Sequence, residues 1–156
     1  MEIEDFRTLY TYNLKFVPTV IDSLKQVDWD RIVNERVCGW GSVRNLIVHT
    51  VGAEEFWFSK VLQGGQHETL TEASFNSAEE LGKRWEEVIG KSIDYIDTLS
   101  KEDLSENRNV RWETGELTCR VEEILIHVYT HTVHHRGQMV MAIRQMGGEP
   151  SEIDIL

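Results

Sequence analysis

Apolar residues recur at three- and four-residue spacing through most of this chain, and that period predicts four long helices. From residue 3 to 26 the series is Ile3, Phe6, Leu9, Tyr10, Leu14, Val17, Val20, Ile21 and Leu24, with the polar Asn13 on the same stripe. Pro18 falls inside it. Either the helix kinks there or two helices meet, because proline removes a backbone donor and crowds the preceding turn. Residues 27 to 41 have weak periodicity, end in Cys-Gly-Trp-Gly, and read as a loop with room for one helical turn. Ser42 is placed to cap a second helix that carries Val43, Leu46, Ile47, Val51, Phe56, Trp57 and Val61 and stops at Gly64-Gly65. A polar loop over 64 to 76 follows. Ser77-Ala-Glu-Glu80 has the capping-box spacing and opens a third helix through Leu81, Trp85, Val88, Ile89, Ile93 and Ile96 to about Leu99.

The period then changes. Over 108 to 119, Val110 and Trp112 alternate with charged residues, and Leu117 and Cys119 do so beyond Thr114-Gly115, which predicts a short β-hairpin. Two strands are not stable alone, so the hairpin should lie against the helices. The helical period returns from about Val121 to Met146 and ends at Gly147-Gly148, with Thr118 the nearest N-cap residue. Four amphipathic helices of this length imply an all-α four-helix bundle. At 156 residues the expectation is one domain over 1–156.

Composition narrows the partners. The formal charge is −11, which argues against nucleic acid or an anionic membrane surface. No apolar run is long enough to span a bilayer, and the acidic start Met-Glu-Ile-Glu-Asp fits neither a signal nor a transit peptide, so the expected location is cytoplasmic. The two cysteines, Cys38 and Cys119, lack C-x-x-C spacing and read as free thiols in a reducing compartment.

The chemistry concentrates in the last helix, in His127-Val-Tyr-Thr-His131-Thr-Val-His134-His135-Arg-Gly-Gln138. With about 100° per residue and His131 set at zero, His135 falls near about +40°, Gln138 near about −20°, His127 near about −40° and His134 near about −60°. Ile124 and Ala142 lie on the same side, so His131 and His135 face the bundle interior. Their four-residue spacing lets two imidazoles reach one metal ion. On the second helix His49 shares a face with Leu46, Ala53 and Phe56. A lone histidine there is more often a core residue bonded to a backbone carbonyl; beside two inward imidazoles, a three-histidine metal site is the competing reading. His67 lies in a polar loop and receives no role. Thr132 stands where a metalloprotease pattern needs glutamate, and no Glu-x-x-His pair of the di-iron bundles occurs.

Gly41-Ser42-Val43-Arg44-Asn45-Leu46-Ile47-Val48-His49 and His131-Thr-Val-His134-His135-Arg136-Gly137-Gln138 together resemble the DinB/YfiT-like family of small metal-binding bundles. The likeness extends to Tyr12-Asn13, to Gly52-Ala53-Glu54 and Trp57, and to the hairpin, and so spans nearly the whole chain. Lys15 stands where the family often has tryptophan. The resemblance implies an up-down-down-up bundle, a divalent metal on His49, His131 and His135, and a homodimer. Among the imidazole-loving metals, zinc or nickel is the expectation. Relatives that are thiol-dependent S-transferases and isomerases imply a small-molecule substrate and a low-molecular-weight thiol such as bacillithiol, mycothiol or glutathione. Three imidazoles would leave a position open for a thiol or water, with Gln138 as an outer partner that orients a ligand. The first expectation is therefore a metal-dependent thiol transferase or detoxification enzyme. The alternatives are a non-catalytic metal-binding stress-response protein and a metal-water hydrolase. Glu54 and Glu55 fall off the His49 face, which leaves no acid or base beside the site and favours thiol transfer. Because the ligands must be neutral, binding is expected to weaken as pH falls through about 6.5.

Overall fold

The first helix passes through Pro18 without interruption. The computed structural model describes residues 1–37, 39–67, 69–112 and 115–150; α1 spans Ile3–Leu24. Pro18 lies on its exposed side, so the donor it lacks is missing where water faces the helix rather than the core. The expected loop over 27 to 41 holds a full short helix, α2 (Trp29–Asn34), capped by the Asp28 carboxylate, which accepts from the Asp30 N–H. The state of Cys38 lies outside the described residues, as does Thr114 at the hairpin tip; Cys119 is a free thiol.

Ser42 caps α3 (Val43–Glu55) as its position predicts, its hydroxyl oxygen 3.3 Å from the Asn45 N–H. Beyond Glu55 the helix widens into a π-helical segment, Phe56–Leu62, which periodicity does not foresee. Bonding from i to i+5 takes up extra chain in each turn, and the buried face is displaced. Phe58 and Leu62 enter the core, whereas Phe56, Trp57 and Val61, expected there, are half-buried. The Ser77 hydroxyl caps α4 (Ala78–Ile96) through the Glu80 N–H at 3.2 Å, but the Glu80 carboxylate reaches back to Asn76 N–H rather than to Ser77. Strands β1 (Asn107–Trp112) and β2 (Gly115–Arg120) pair antiparallel, Asn107 opposite Arg120 and Val110 opposite Leu117. The last helix, α5 (Val121–Gln145), is capped through Arg120 N–H to Glu123, not by Thr118, whose hydroxyl bonds to Asn109 across the hairpin. It ends at Gly147, where φ of +86° suits a residue without Cβ.

Side-chain contacts fix the topology. Arg7 pairs with Asp97 at one end of α1, and Gly82 lies against Ile21 at the other, so α1 and α4 are antiparallel. A Cβ at Gly82 would stand 2.7 Å from the Ile21 side chain, which is why only glycine allows this approach. Tyr10 bonds to the Leu125 carbonyl at 2.9 Å and Phe16 packs on Arg136, so α1 and α5 are parallel. Trp57 meets His127 and His49 meets His135, so α3 and α5 are antiparallel. The result is the up-down-down-up bundle with its hairpin before the last helix.

The core divides into two apolar clusters, one built around Phe16, Leu24, Ile47, Trp85 and Ala142, the other around Phe6, Tyr10, Phe58, Ile96 and Leu125. Between them lies a polar layer with one residue from each long helix: Asn13, Glu54, Ser92 and Thr132, none more than 1% exposed. Both carboxylate oxygens of Glu54, both amide atoms of Asn13 and the Thr132 hydroxyl have no hydrogen-bond partner among the described residues.

Candidate metal centre

The histidine site forms beside this layer, where α3 and α5 cross in opposite directions. The antiparallel crossing brings His49 against two residues one turn apart on α5. His49 Nε2 lies 3.2 Å from His131 Nε2, which lies 3.1 Å from His135 Nε2. The ligand atoms of the three fall within 4.8 Å of one another, and among the described residues no fourth histidine, cysteine or carboxylate joins them. Three nitrogens about 2.0–2.1 Å from a tetrahedral ion would stand roughly 3.3 Å apart, so the triad has the spacing to hold one.

Hydrogen bonding among the rings does not explain this arrangement. The Gln138 side-chain oxygen is 2.8 Å from His135 Nδ1; that oxygen accepts, so Nδ1 carries the proton and Nε2 presents a lone pair. A single proton on His131 Nε2 could satisfy that lone pair or His49, not both. Burial also keeps the rings neutral. It pushes His131 down to about 4, aided by the charge that its histidine neighbours would carry. Burial, followed by His135, lowers His49; burial lowers His135 too, partly offset by the bond to Gln138. The Gln138 amide continues outward to His134 Nε2 at 3.1 Å.

The sequence-derived site residues divide clearly. His49, His131, His135 and Gln138 come together. His127 and His134 are exposed at the margin, His127 with its ring edge-on to Trp57 at 5.2 Å. His67, given no role, packs edge-on to Phe56 at 5.3 Å. Glu54 and Glu55 do lie off the site, Glu54 inside the polar layer and Glu55 paired with Arg84. What periodicity missed is Trp40. Its indole stacks on the His49 ring, with centroids 3.5 Å apart and planes within 17°. A large residue between two glycines, immediately before a capped helix, was the only available signal.

A four-long-helix bundle with a hairpin before its last helix and a histidine triad between α3 and α5 defines a class of small bundle protein with a potential metal site. Residues 4–156 match the DinB family, and the chain belongs to it. It is similar to the uncharacterized protein YizA of Bacillus subtilis (strain 168), 26% identical over 125 residues that cover 80% of this chain and 77% of that one. It shares its fold with the crystal structure of a DinB-like protein, YjoA, from Bacillus subtilis, with a TM-score of 0.64 at 16% identity over 94% of this chain and 95% of the other. Among the described residues no helix is long and apolar enough to cross a membrane.

Proposed function

We propose that His49, His131 and His135 hold one divalent ion, zinc or nickel, and that the protein is a metal-dependent thiol S-transferase or detoxification enzyme acting on small electrophiles. The observation that carries this reading is a triad of neutral imidazoles with no fourth protein ligand among the described residues. Closed structural zinc sites use four protein ligands, whereas catalytic ones keep a position for substrate. A bound ion would supply the Lewis acidity that lowers a thiol pKa and favours the thiolate nucleophile. The chain's own groups do the positioning. Gln138 fixes the His135 tautomer, and Trp40 covers one face of His49. With Glu54 in the core and Glu55 held by Arg84, neither carboxylate is placed to act as a general base on water, which favours thiol transfer over hydrolysis.

The test is metal analysis of the purified protein, then a conjugation screen with glutathione, bacillithiol, mycothiol and coenzyme A. One thiol should be consumed in a metal-dependent way. Chelation should stop turnover while far-ultraviolet circular dichroism stays unchanged, because the bundle has a core of its own. Helix loss on chelation with no thiol consumed under any metal would overturn the enzyme reading in favour of a structural site.

Gln138→Leu gives a finer check. It removes the acceptor that holds His135 Nδ1–H, and outer partners of this kind are worth about 10–100-fold in metal affinity. Competition titration against a chromophoric chelator should show a loss in that range with the helical spectrum retained. An affinity equal to the parent's would mean that Gln138 only packs.

A further inference from the structure

A cleft of about 440 Å³ runs along the outer face of α3 and shares His49 with the triad. Its size lies within the range of roughly 300–1,000 Å³ in which proteins bind small molecules. Its walls are aromatic. Trp40, 49% exposed, closes one side while stacked on His49. Phe56 stands two turns beyond His49, just past the end of α3, and the half-buried Trp57 stands beside it at the start of the π-helical segment. Leu70 faces them from the loop.

The aromatic wall is continuous with the histidine cluster at two points, since Trp57 also meets His127, whose ring centroid is 6.1 Å from that of His131. Indole and phenyl faces favour flat π systems laid against them or edge-on. The described lining supplies no side-chain cation of its own to an anion; Arg44 bonds to Asn45 at 3.3 Å but is not part of the lining. Among the described residues that line it there is no lysine or arginine, and its carboxylate is Glu72. Lys60 lies 5.7 Å over the Phe56 ring but is not part of the lining. The chain as a whole carries a formal −11. The Thr69 hydroxyl and a His67 ring nitrogen can hydrogen-bond a polar substituent, while the Asn45 side-chain oxygen already accepts from Ser42 and Arg44.

We propose that this cleft binds an uncharged, planar aromatic molecule, and that it seats the electrophile of the reaction rather than the thiol. The assignment to the electrophile rests on the thiol-transferase reading above. Glutathione and bacillithiol carry carboxylates, which no lysine or arginine of the described lining would pair. An aromatic ring between Trp40 and Trp57 lies alongside His49, with its substituents within reach of the triad.

A matched pair of probes tests this in the full-length, metal-free protein with no thiol present, so that no ion on His49 draws the carboxylate: 1-naphthaleneacetamide, which is neutral, and 1-naphthaleneacetate, which differs in charge at nearly the same shape. Calorimetry should show the amide binding at least tenfold more tightly. Trp40→Ala and Trp57→Leu should each weaken the amide at least fivefold; Trp40 is exposed enough for its loss to leave the fold intact. Thr69→Lys, which adds a cation to the lining, should narrow or reverse the preference by raising affinity for the carboxylate. Equal or tighter binding of the carboxylate by the parent protein would overturn the proposal. So would amide affinity unchanged by both tryptophan variants, or no amide binding at millimolar concentration. Because binding is read without thiol or turnover, an empty thiol screen would remove only the electrophile's role and leave the cleft's ligand class standing.

Discussion

His135→Ala should lower affinity for zinc or nickel by more than about 100-fold, beyond the range for outer partners, and His49→Ala and His131→Ala should do the same. Each removes one of three nitrogens that stand 3.1–3.2 Å from a neighbour. His67→Ala and His134→Ala should leave stoichiometry at one ion per chain. The pH dependence follows from the lowered ring pKa values. Unperturbed histidines would begin to lose metal to protons near about 6.5. Burial depresses all three here, His131 to about 4, so protons compete only in more acid solution and binding should persist through pH 6. Titrations at pH 7.5, 6.5 and 6.0 would check this. Full stoichiometry in His135→Ala would remove the triad assignment, and a steep loss of binding between pH 6.5 and 6.0 would show rings that titrate ordinarily.

The parts of this site that could be read in the sequence are those that ride on regular helices. His131 and His135 are four residues apart, and wheel geometry alone put them inward with Ile124 and Ala142, both buried. The period-2 stretch around Val110 marked the hairpin for the same reason. What escaped depends on departures from regularity or on tertiary company. The π-helical turn at Phe56–Leu62 changes the period itself, so a stripe projected at 3.6 residues put Phe56, Trp57 and Val61 in the core. Trp40 lies in a loop, where no periodicity says what it covers. Glu54 is a different case. It occupies the stripe Ile47, Val51, Glu54, Phe58, whose other members are buried, and its position was open to reading. Charged side chains on helices are normally solvated, and only the layer made with Asn13, Ser92 and Thr132 from the other three long helices shows that this one is not.

That layer sets the other large effect. Glu54→Gln should stabilise the metal-free protein at pH 8 by up to about 3 kcal/mol and change it little near pH 4.5. Burial is the main cause that raises the Glu54 carboxyl from 4.5 to about 7. The nearby Ser92 hydroxyl opposes the shift but donates its proton to the Val88 carbonyl at 3.1 Å, and among the described residues no cation offsets the burial. A carboxyl whose folded pKa is raised imposes no penalty while it is protonated in both states. As pH climbs from 4.5 to about 7, the unfolded chain releases a proton that the folded chain retains, and each pH unit of that window costs about 1.4 kcal/mol. Above the folded pKa the loss is complete. His131 acts in the opposite sense. Its folded pKa of about 4 leaves stability intact above 6.5 and removes it as acid protonates the unfolded chain. The two slopes oppose each other between roughly pH 4.5 and 6.5, so the parent should show a shallow pH profile there. The glutamine variant should expose the histidine limb, falling steadily as pH is lowered. Urea denaturation of both proteins from pH 4.5 to 8 isolates Glu54, because the histidine contribution cancels in their difference. A difference that does not vary with pH would show that the Glu54 carboxyl is already ionised in the folded bundle.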